Sequence, residues 1–380
     1  MKQISSVDLY FLTRELKGLL ENQRIETFYY ENGIFYIKIY IRGVGHKFLT
    51  NKVSKFIFLG DTKNETSEAK SFVMHLRKHL KNGFIREIEQ IENERILKIH
   101  IEKKNDDKLD RYVLILELFS GGNIILADEQ LNILNLLERK NFKDRTVKVK
   151  STYTLPPQKE LSFLNLKSEK LYELANESDL PIVKFLAIKL GIGGKYAEEL
   201  LEKAKIEKNK KAPFEMEEIE KITNVTNSML HNKISPKLIL DKSSNPADFI
   251  PFEFIGFENS EKKDCKTFNE TLKNYFEQFL EEKDLRKDKY EKELKKLENR
   301  LEKQLIQMKE INEEYEKYNN IGNKIYENYS LVEELLKSIN KSAKEKGWEH
   351  VLSTVKENDK LSKVIKNINY KNNEIILDLK

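Results

Sequence analysis

Apolar residues recur every three or four positions over residues 6–20, where Leu9, Leu12 and Leu16 fall on one stripe. This spacing places them on one face of an α-helix, so the pattern predicts an amphipathic helix near the start of the chain. Ser5 stands just before this helix, and Asp8 follows three positions later. A hydroxyl and a carboxylate at this spacing can satisfy the first free amides of a helix, so we expect a capping box.

Residues 27–41 change to the β-branched and aromatic composition that is typical of strands. The step Asn32-Gly33 separates two such runs and favours a tight hairpin turn, because both residues tolerate positive φ. A helix is predicted over 67–82, ending at Gly83. Further strands are predicted over 47–59, 85–91, 95–102, 111–119, 123–127 and 131–137. These elements predict a sheet-rich α+β domain over the first 155 residues.

The pattern over residues 160–235 is helical. Its clearest unit is a helix over 181–190, the glycine-rich step 191–194, and a second helix that begins near Lys195. This arrangement predicts two short helices joined by a glycine hairpin. The following residues contain one strand-like run, 249–257, which Pro251 interrupts.

A long helix is predicted over 277–320, since no glycine or proline occurs between Gly256 and Gly322. Its apolar residues follow the alternating four-and-three spacing of a heptad seam, in which Gln304 is the one polar member. The seam consists of Tyr290, Leu294, Leu297, Leu301, Met308, Ile311, Tyr315 and Tyr318. A coiled coil needs a second helix, which we expect either from another molecule or from sequence beyond Lys380. A shorter helix over 325–345 and a strand over 375–379 are predicted to follow.

Composition limits the class of protein. The chain of 380 residues is long enough for two or three domains, and 34% of its residues are charged. The net charge is only +5, with 68 basic and 63 acidic residues, so we expect local basic faces rather than a uniformly basic surface. Cys265 is the single cysteine, which excludes an intrachain disulfide and a zinc site built from several thiolates. The sequence shows neither a signal peptide nor a membrane span, and we expect a cytoplasmic protein.

Several motifs in this order resemble those of one family. They are Gln90 followed by Glu94-Arg95-Ile96, then Glu117-Leu118, the run 122–126, Asp144-Arg145, Tyr153 and Pro156-Pro157. The glycine hairpin with Lys195-Tyr196-Ala197-Glu198-Glu199, the run 268–276 and the run 322–329 continue the similarity. The chain thus resembles the NFACT family, which includes RqcH of bacteria and archaea and NEMF of animals and is also known as fibronectin-binding protein A-like.

The resemblance implies a fold and a division of the chain. It implies an α+β domain over 1–175, similar in architecture to the N-terminal domain of the formamidopyrimidine DNA glycosylases. A helix-hairpin-helix domain over 176–235, a connecting segment over 236–275, a first coiled-coil helix over 276–320 and a middle domain over 321–380 follow. It also implies that the returning coiled-coil helix and a C-terminal RNA-binding domain lie beyond this sequence.

The resemblance further implies an RNA-binding adaptor of ribosome-associated quality control. We expect it to be non-enzymatic, with no cofactor and no bound metal. Its partners would be charged tRNA, with alanyl-tRNA a candidate, and the large ribosomal subunit that still carries peptidyl-tRNA. In several lineages such proteins support template-free tailing of the stalled peptide, which would use the peptidyl-transferase centre of the ribosome. The coiled-coil partner would be the missing part of the same chain or a second copy.

The candidate tRNA-binding residues are Asp8, Glu94, Arg95, Arg42 and Lys47. The family has an Asp-Arg pair where this chain has Glu94-Arg95, and Asp8 matches an aspartate in the first helix of the family. A guanidinium can bind a phosphate or a base edge with two hydrogen bonds, and an acid can orient it. The alternatives are a solvated charge pair, a helix cap at Asp8, and an ordinary loop at Arg42 and Lys47.

The glycine hairpin is the second candidate contact with nucleic acid. Gly191, Gly193 and Gly194 would expose main-chain amides at the start of a helix, and Lys189 and Lys195 flank them. Amides and a helix dipole favour anions, so we expect phosphate contact here. The alternative is a tight turn that needs glycine only for its backbone angles. His75 and His79 lie four apart on a predicted helix, but we expect a basic helix face there and no metal site.

Two other functional classes remain as alternatives. A DNA-binding protein or DNA glycosylase would agree with the related architecture, but such glycosylases use a proline amine after Met1 and a cysteine zinc finger. Lys2 occupies that position here, and Cys265 is the only cysteine. An extracellular adhesin would agree with the fibronectin-binding label of relatives, but no export signal is evident.

Overall fold

The structure is a computed structural model that describes residues 1–31, 33–62, 70–105, 108–119, 121–142, 144–157, 159–372 and 374–379. The side chains of residues 280–293 and 295 are not among those described. Three parts of the predicted elements therefore lie outside the described residues. They are Asn32 of the predicted hairpin, residues 67–69 of the predicted helix and the side chain of Tyr290 in the predicted seam. The chain divides into two units, Met1–Asp284 and Leu285–Lys380. The finer domain boundaries within the first unit stay predictions.

A nine-stranded antiparallel sheet organises the first unit, and this confirms the predicted α+β class. The strand order is β4-β3-β2-β1-β5-β6-β7-β8-β9. The strands are β1 (Arg24–Glu31), β2 (Ile34–Ile41), β3 (Gly45–Lys52), β4 (Phe56–Gly60), β5 (Phe84–Gln90), β6 (Ile96–Asn105), β7 (Lys108–Glu117), β8 (Asn123–Asp128) and β9 (Ile133–Leu136). The run predicted as one strand over 47–59 is two, β3 and β4, joined by a turn that includes Ser54 at φ 68°.

Helices α1 and α2 are among the helices that contribute to the main core beside the sheet. Helix α1 (Ser6–Leu20) has the predicted bounds and the predicted capping box between Ser5 and Asp8. Helix α2 (Ser71–Leu80) lies within the predicted range and buries Leu76 and Leu80. A second, smaller core contains Ile96, Ile115 and Tyr153, near the short strands β10 (Lys140–Asn141) and β11 (Thr146–Val147).

The predicted helical segment contains helices α3 (Ser168–Asn176), α4 (Ile182–Phe185), α5 (Gly194–Ala204) and α6 (Met216–His231). A π-helical turn, Leu186–Leu190, continues α4 up to Gly191. Gly191 and Gly193 adopt φ of 73° and 81°, which a residue with a side chain rarely adopts. The two helices joined by a glycine hairpin are therefore confirmed.

A small three-stranded sheet follows, made of β12 (Lys237–Leu240), β13 (Pro246–Ile250) and β14 (Lys262–Asp264). The prediction of one strand-like run over 249–257 is wrong in extent. The strand ends at Ile250, and a 3-10 turn occupies Ile255–Phe257. Pro251 has no amide hydrogen to continue the ladder, which gives a physical reason for the end of the strand.

Helix α7 (Phe268–Glu327) is longer than the predicted range of 277–320. Its first turns are buried through Phe268, Leu272 and Phe276. The carboxylate of Glu15 accepts hydrogen bonds from the main-chain amides of Phe268 (2.7 Å) and Asn269 (2.8 Å), which caps the helix. By contrast, the apolar seam residues whose side chains the structure describes are exposed: Leu294, Leu297, Leu301, Met308, Ile311, Tyr315 and Tyr318.

The second unit also contains helices α8 (Tyr329–Glu357), which is kinked at Gly347, and α9 (Asp359–Val364). A hairpin of β15 (Ile365–Asn369) and β16 (Glu374–Leu377) packs with them around a small core. Among the described residues, no helix is both long enough and apolar enough to cross a membrane.

Candidate functional site

Three segments that are far apart in sequence meet at the start of α1. They are the α1 start itself, the turn of residues 91–95 between β5 and β6, and the glycine hairpin 191–194; we call this region the α1 junction. Gln90 Nε2 donates hydrogen bonds to the main-chain oxygens of Ser6 (2.8 Å) and Glu94 (3.0 Å). Ser6 Oγ donates to the main-chain oxygen of Gly191 (2.7 Å). The junction thus brings together two regions that the sequence singled out separately.

Arg95 is half-buried at this junction. Its Nη1 donates to Gln3 Oε1 (3.2 Å) and to the main-chain oxygen of Ile4 (3.3 Å). Among the described residues, no carboxylate oxygen forms an ion pair with this guanidinium within 4.0 Å. Burial lowers the pKa of Arg95, and the nearby Glu94 carboxylate opposes that shift. A guanidinium remains cationic at neutral pH, so Arg95 is a partly desolvated cation whose protein partners here are neutral.

Glu94 pairs with Lys159 instead of Arg95. The Lys159 Nζ to Glu94 Oε1 distance is 2.9 Å. The same lysine lies against the glycine hairpin, since a Cβ added to Gly191 would be 2.7 Å from Lys159 Nζ. Lys159 therefore links the 91–95 turn with the hairpin, and the lack of a side chain at Gly191 leaves room for it.

Asp8 is buried and directed into the protein. Its Oδ2 accepts hydrogen bonds from the Ser5 amide and the Ser5 hydroxyl, both at 2.7 Å. Its Oδ1 accepts from the Tyr196 hydroxyl at 2.7 Å and lies 3.6 Å from Lys195 Nζ. Lys195 Nζ also donates to the main-chain oxygen of Phe249 (2.7 Å). The side chains of Asp8 and Lys195 therefore have mostly internal partners.

One amide of the glycine hairpin already has a partner in the protein, since the Gly193 amide donates to the main-chain oxygen of Ala187 (3.3 Å). Gly193 is the N-cap of α5, and no side chain caps this end of the helix. A Cβ on Gly193 would lie 3.8 Å from Ser5 Cβ, whereas one on Gly194 would meet nothing within 4 Å. The starts of α1 and α5 are thus neighbours, and both carry the positive end of a helix dipole. Lys189 is exposed in the turn that precedes the hairpin.

Arg42 and Lys47 are not brought to the α1 junction. Arg42 directly follows β2 and lies near the first residue of β5. The β2 residue Tyr40 pairs with Arg24 of β1, which in turn pairs with Phe84, the first residue of β5. The 91–95 turn follows the last residue of β5, roughly 20 Å away at about 3.3 Å per residue. Lys47 forms an ion pair with Asp61.

The sequence did not single out Lys159 or Tyr196 as site residues. Lys159 contacts Glu94 across 65 positions, and Tyr196 contacts Asp8 across 188 positions. No local pattern signals such pairs; only the chain path does. The pair His75 and His79 has ring centroids 4.4 Å apart, and the described residues contain no group of three His, Cys, Asp or Glu side chains arranged to hold a metal.

The family model for NFACT N-terminal and middle domains matches residues 5–372. The chain belongs to the NFACT family. This match includes the α1 junction, the helix-hairpin-helix element and the second unit up to residue 372.

Relatives of known description agree with the NFACT assignment. A protein of Methanocaldococcus jannaschii described as an archaeal Rqc2 homolog, aRqcH, is 32% identical over 396 aligned residues, which cover 100% of this chain and 58% of that protein. An Rqc2 homolog RqcH of Streptococcus pneumoniae is 30% identical over 204 residues, covering 50% of this chain and 37% of that protein. Ribosome quality control complex subunit 2 of Saccharomyces cerevisiae is 30% identical over 217 residues, covering 51% and 20%. The chain therefore spans little more than half of the archaeal relative.

Solved structures show the same fold in the first part of the NFACT chain. The N-terminal part of the fibronectin/fibrinogen-binding protein of Streptococcus suis matches with a TM-score of 0.59 at 22% identity, covering 73% of this chain and 100% of that one. The fibrinogen binding protein of Staphylococcus aureus matches with a TM-score of 0.58 at 18% identity, covering 72% and 98%. At these identities the likeness concerns the fold alone.

Proposed function

We propose that this NFACT-family chain is part of a cytoplasmic RNA-binding adaptor of ribosome-associated quality control. It binds tRNA and the large ribosomal subunit that carries peptidyl-tRNA, and it breaks or forms no bond itself. Any tailing of a stalled peptide, with alanyl-tRNA as a candidate donor, takes place at the peptidyl-transferase centre of the ribosome. The descriptions of the archaeal, bacterial and yeast relatives support this role.

The observation that carries the tRNA proposal is the state of Arg95. Its guanidinium is half-buried, its hydrogen-bonded protein partners are neutral, and Lys159 neutralises the adjacent Glu94. A partly desolvated cation without a carboxylate partner attracts an anion, and nucleic acids present a row of phosphates. A guanidinium can bind a phosphate through two parallel hydrogen bonds, so Arg95 is proposed as the central contact.

The glycine hairpin supplies a second anion-binding element beside Arg95. The α5 start at Gly193 and Gly194 has no capping side chain, and Lys189 is exposed just before it. We assign Gly191 a supporting role, because its missing Cβ makes room for Lys159. Arg42 and Lys47 lie at the other end of the sheet, so they belong to this site only if the RNA spans both ends of β5.

The proposed coiled coil concerns a different partner. The described heptad residues of α7, such as Leu297 and Leu301, expose more than half of their side chains. Exposed apolar residues in heptad spacing are typical of a seam that pairs with a second helix. That helix is proposed to come from the remainder of the same polypeptide or from a second copy, and the pair to contact the ribosome.

The test of tRNA binding compares the parent protein with Arg95→Ala at several salt concentrations. The ligands are charged tRNA, uncharged tRNA and a DNA duplex of similar phosphate number. We expect Arg95→Ala to weaken tRNA binding about 10- to 150-fold, because a hydrogen bond to a charged group contributes about 1.5–3 kcal/mol. The slope of log K against log salt should fall by about 0.7–0.9, the effect of one lost phosphate contact.

Arg111→Ala is the matched control for this experiment. Arg111 is an exposed arginine at the far end of the β6–β7 ladder, where it pairs with Glu102 and Glu129 at 3.0 Å. The Arg111→Ala variant should bind tRNA like the parent. Glu94→Asp should also keep tRNA binding, because the long side chain of Lys159 can still reach the shorter carboxylate. Equal or tighter binding to duplex DNA would refute the tRNA proposal and favour a DNA-binding protein of related architecture. Unchanged tRNA binding by Arg95→Ala would refute the site.

A further inference from the structure

Asp8 matches a family aspartate that the sequence places among the tRNA contacts, yet its surroundings indicate a different role. Its exposed fraction is 1%, and each carboxylate oxygen accepts at least one hydrogen bond from the protein. The donors are the amide and hydroxyl of Ser5 on one oxygen and the hydroxyl of Tyr196 on the other. A carboxylate that is enclosed and bonded in this way has no open side for a nucleotide.

The most distant of these partners, Tyr196, belongs to the first turn of α5. Its side chain is fully buried, and its hydroxyl donates to Asp8 Oδ1 at 2.7 Å. Burial, followed by the charge of Asp8, raises the pKa of Tyr196 well above its ordinary value, so the hydroxyl keeps the proton that it donates. Asp8 therefore binds the beginning of the helix that carries the glycine hairpin.

The neighbouring Lys195 strengthens the same attachment. Its Nζ is 3.6 Å from Asp8 Oδ1 and 3.6 Å from Asp248 Oδ1, and it donates to the main-chain oxygen of Phe249. This geometry differs from the flanking phosphate contact predicted for Lys195. The side chains of Lys195 and Tyr196, which directly follow the glycines in α5, are thus both held by contacts within the protein.

The position of Asp8 relates this attachment to Arg95. Arg95 Nη1 bonds the main-chain oxygen of Ile4, and Ser5 lies against Gly193. Asp8 holds Ser5 from one side and Tyr196 from the other. A single carboxylate thus fixes the α5 start relative to the segment of residues 3–5, to which the Arg95 guanidinium is hydrogen-bonded.

We propose that Asp8 is a positioning residue of the tRNA site, which holds the α5 start on the α1 start so that the glycine hairpin and Arg95 meet one RNA backbone together. The inference rests on the proposed tRNA binding. It differs from the direct-contact role because Asp8 acts through Tyr196, a residue that RNA cannot reach.

The test is a double-mutant cycle on tRNA affinity with Asp8→Ala, Tyr196→Phe and the combined variant, all in the full chain. Tyr196→Phe removes one buried hydroxyl and keeps the ring. We expect each single change to weaken tRNA binding by about three- to tenfold, and the combined change to be no worse than Asp8→Ala, since both break one link. Amide hydrogen exchange of residues 191–197 should rise in each variant.

Tyr112→Phe is the matched control, since it removes a tyrosine hydroxyl that contacts His79 Nδ1 at the other end of the sheet. It should leave tRNA affinity and exchange at the hairpin unchanged. Asp8→Asn keeps the size of the side chain, and it replaces Asp8→Ala in the cycle if the alanine variant does not fold.

Two results would overturn the positioning role. One is parent-like tRNA binding by Tyr196→Phe alongside weakened binding by the Asp8 variant, which would show that Asp8 contacts RNA itself. The other is full additivity of the two changes. Failure of the proposed function is distinguishable, because it appears as unchanged binding in Arg95→Ala, whereas failure of this inference leaves the Arg95 effect in place.

Discussion

Replacing Glu117 by leucine is expected to destabilise the first unit strongly. Glu117 lies at the end of β7, and its Oε1 is 2.7 Å from Arg145 Nη2. The exposed fractions of the two side chains are 1% and 5%, so the pair is shielded from water. The hydroxyl of Tyr153 also donates to Glu117 Oε1, at 2.9 Å. Loss of the carboxylate therefore leaves a buried cation and a buried hydroxyl without their shared acceptor.

The magnitude follows from this enclosure. Removing one partner of a buried ion pair costs about 3–5 kcal/mol, because the remaining charge stays desolvated. Arg145 retains its hydrogen bond to the main-chain oxygen of Thr154 (2.6 Å) and the faces of nearby aromatic rings such as Phe142, 4.9 Å away, but these neutral partners do not replace the lost carboxylate charge. Replacing both charges by leucine removes the uncompensated charge, so Glu117→Leu combined with Arg145→Leu should cost less than either single change.

Urea unfolding followed by far-UV circular dichroism measures these changes. Trp348 is the single tryptophan and lies in the second unit. The unfolding transition followed by its fluorescence is therefore an internal control, which should be the same in the parent and in the Glu117 and Arg145 variants. The reasoning would be refuted if either single variant cost less than about 1 kcal/mol, the range of an exposed pair. It would also be refuted if the combined variant lost as much as the sum of the single variants.

Two further predictions concern packing. Gly122→Ala should destabilise the first unit by at least about 1–3 kcal/mol, because Gly122 has φ of 57° and an added Cβ would lie 2.5 Å from the Ser54 nitrogen. Gly18→Ala should instead stabilise the first unit by about 0.5–1 kcal/mol, because a Cβ at this helical position meets open space. Thermal unfolding would contradict this pair if both changes had the same sign. Leu272→Ala, fully buried in α7, should cost about 2–5 kcal/mol, whereas Leu301→Ala, 57% exposed in the same helix, should change stability by at most about 0.5 kcal/mol. Equal losses in urea unfolding would show that Leu301 is covered.

Features that depend on neighbouring residues were predictable. The bounds of α1 and its Ser5–Asp8 capping box follow from spacing over a few positions, and both are present. The β1–β2 strands on either side of the turn at Gly33 follow from the period-two pattern and the Asn-Gly step. The glycine hairpin also follows locally, because only glycine readily takes the positive φ observed at Gly191 and Gly193.

Features that depend on distant residues were not predictable. The prediction began the long helix at 277, but α7 begins at Phe268 because Glu15, far away in sequence, accepts its first amides. The sequence paired Glu94 with its neighbour Arg95, whereas the fold pairs Glu94 with Lys159. Whether any of these residues binds RNA stays a prediction.

By itself, then, the sequence determined most of the helices and strands of the first unit, the glycine hairpin and, through the order of its motifs, the NFACT family. These depend on interactions among residues within a few positions of one another. Only the tertiary structure decided which charges remain available for a ligand: Asp8 and Lys195 face inward, Glu94 is neutralised, and Arg95 keeps neutral partners. The physical reason is that the partner of a charge is set by the path of the whole chain, and burial then decides whether that charge can meet water or RNA.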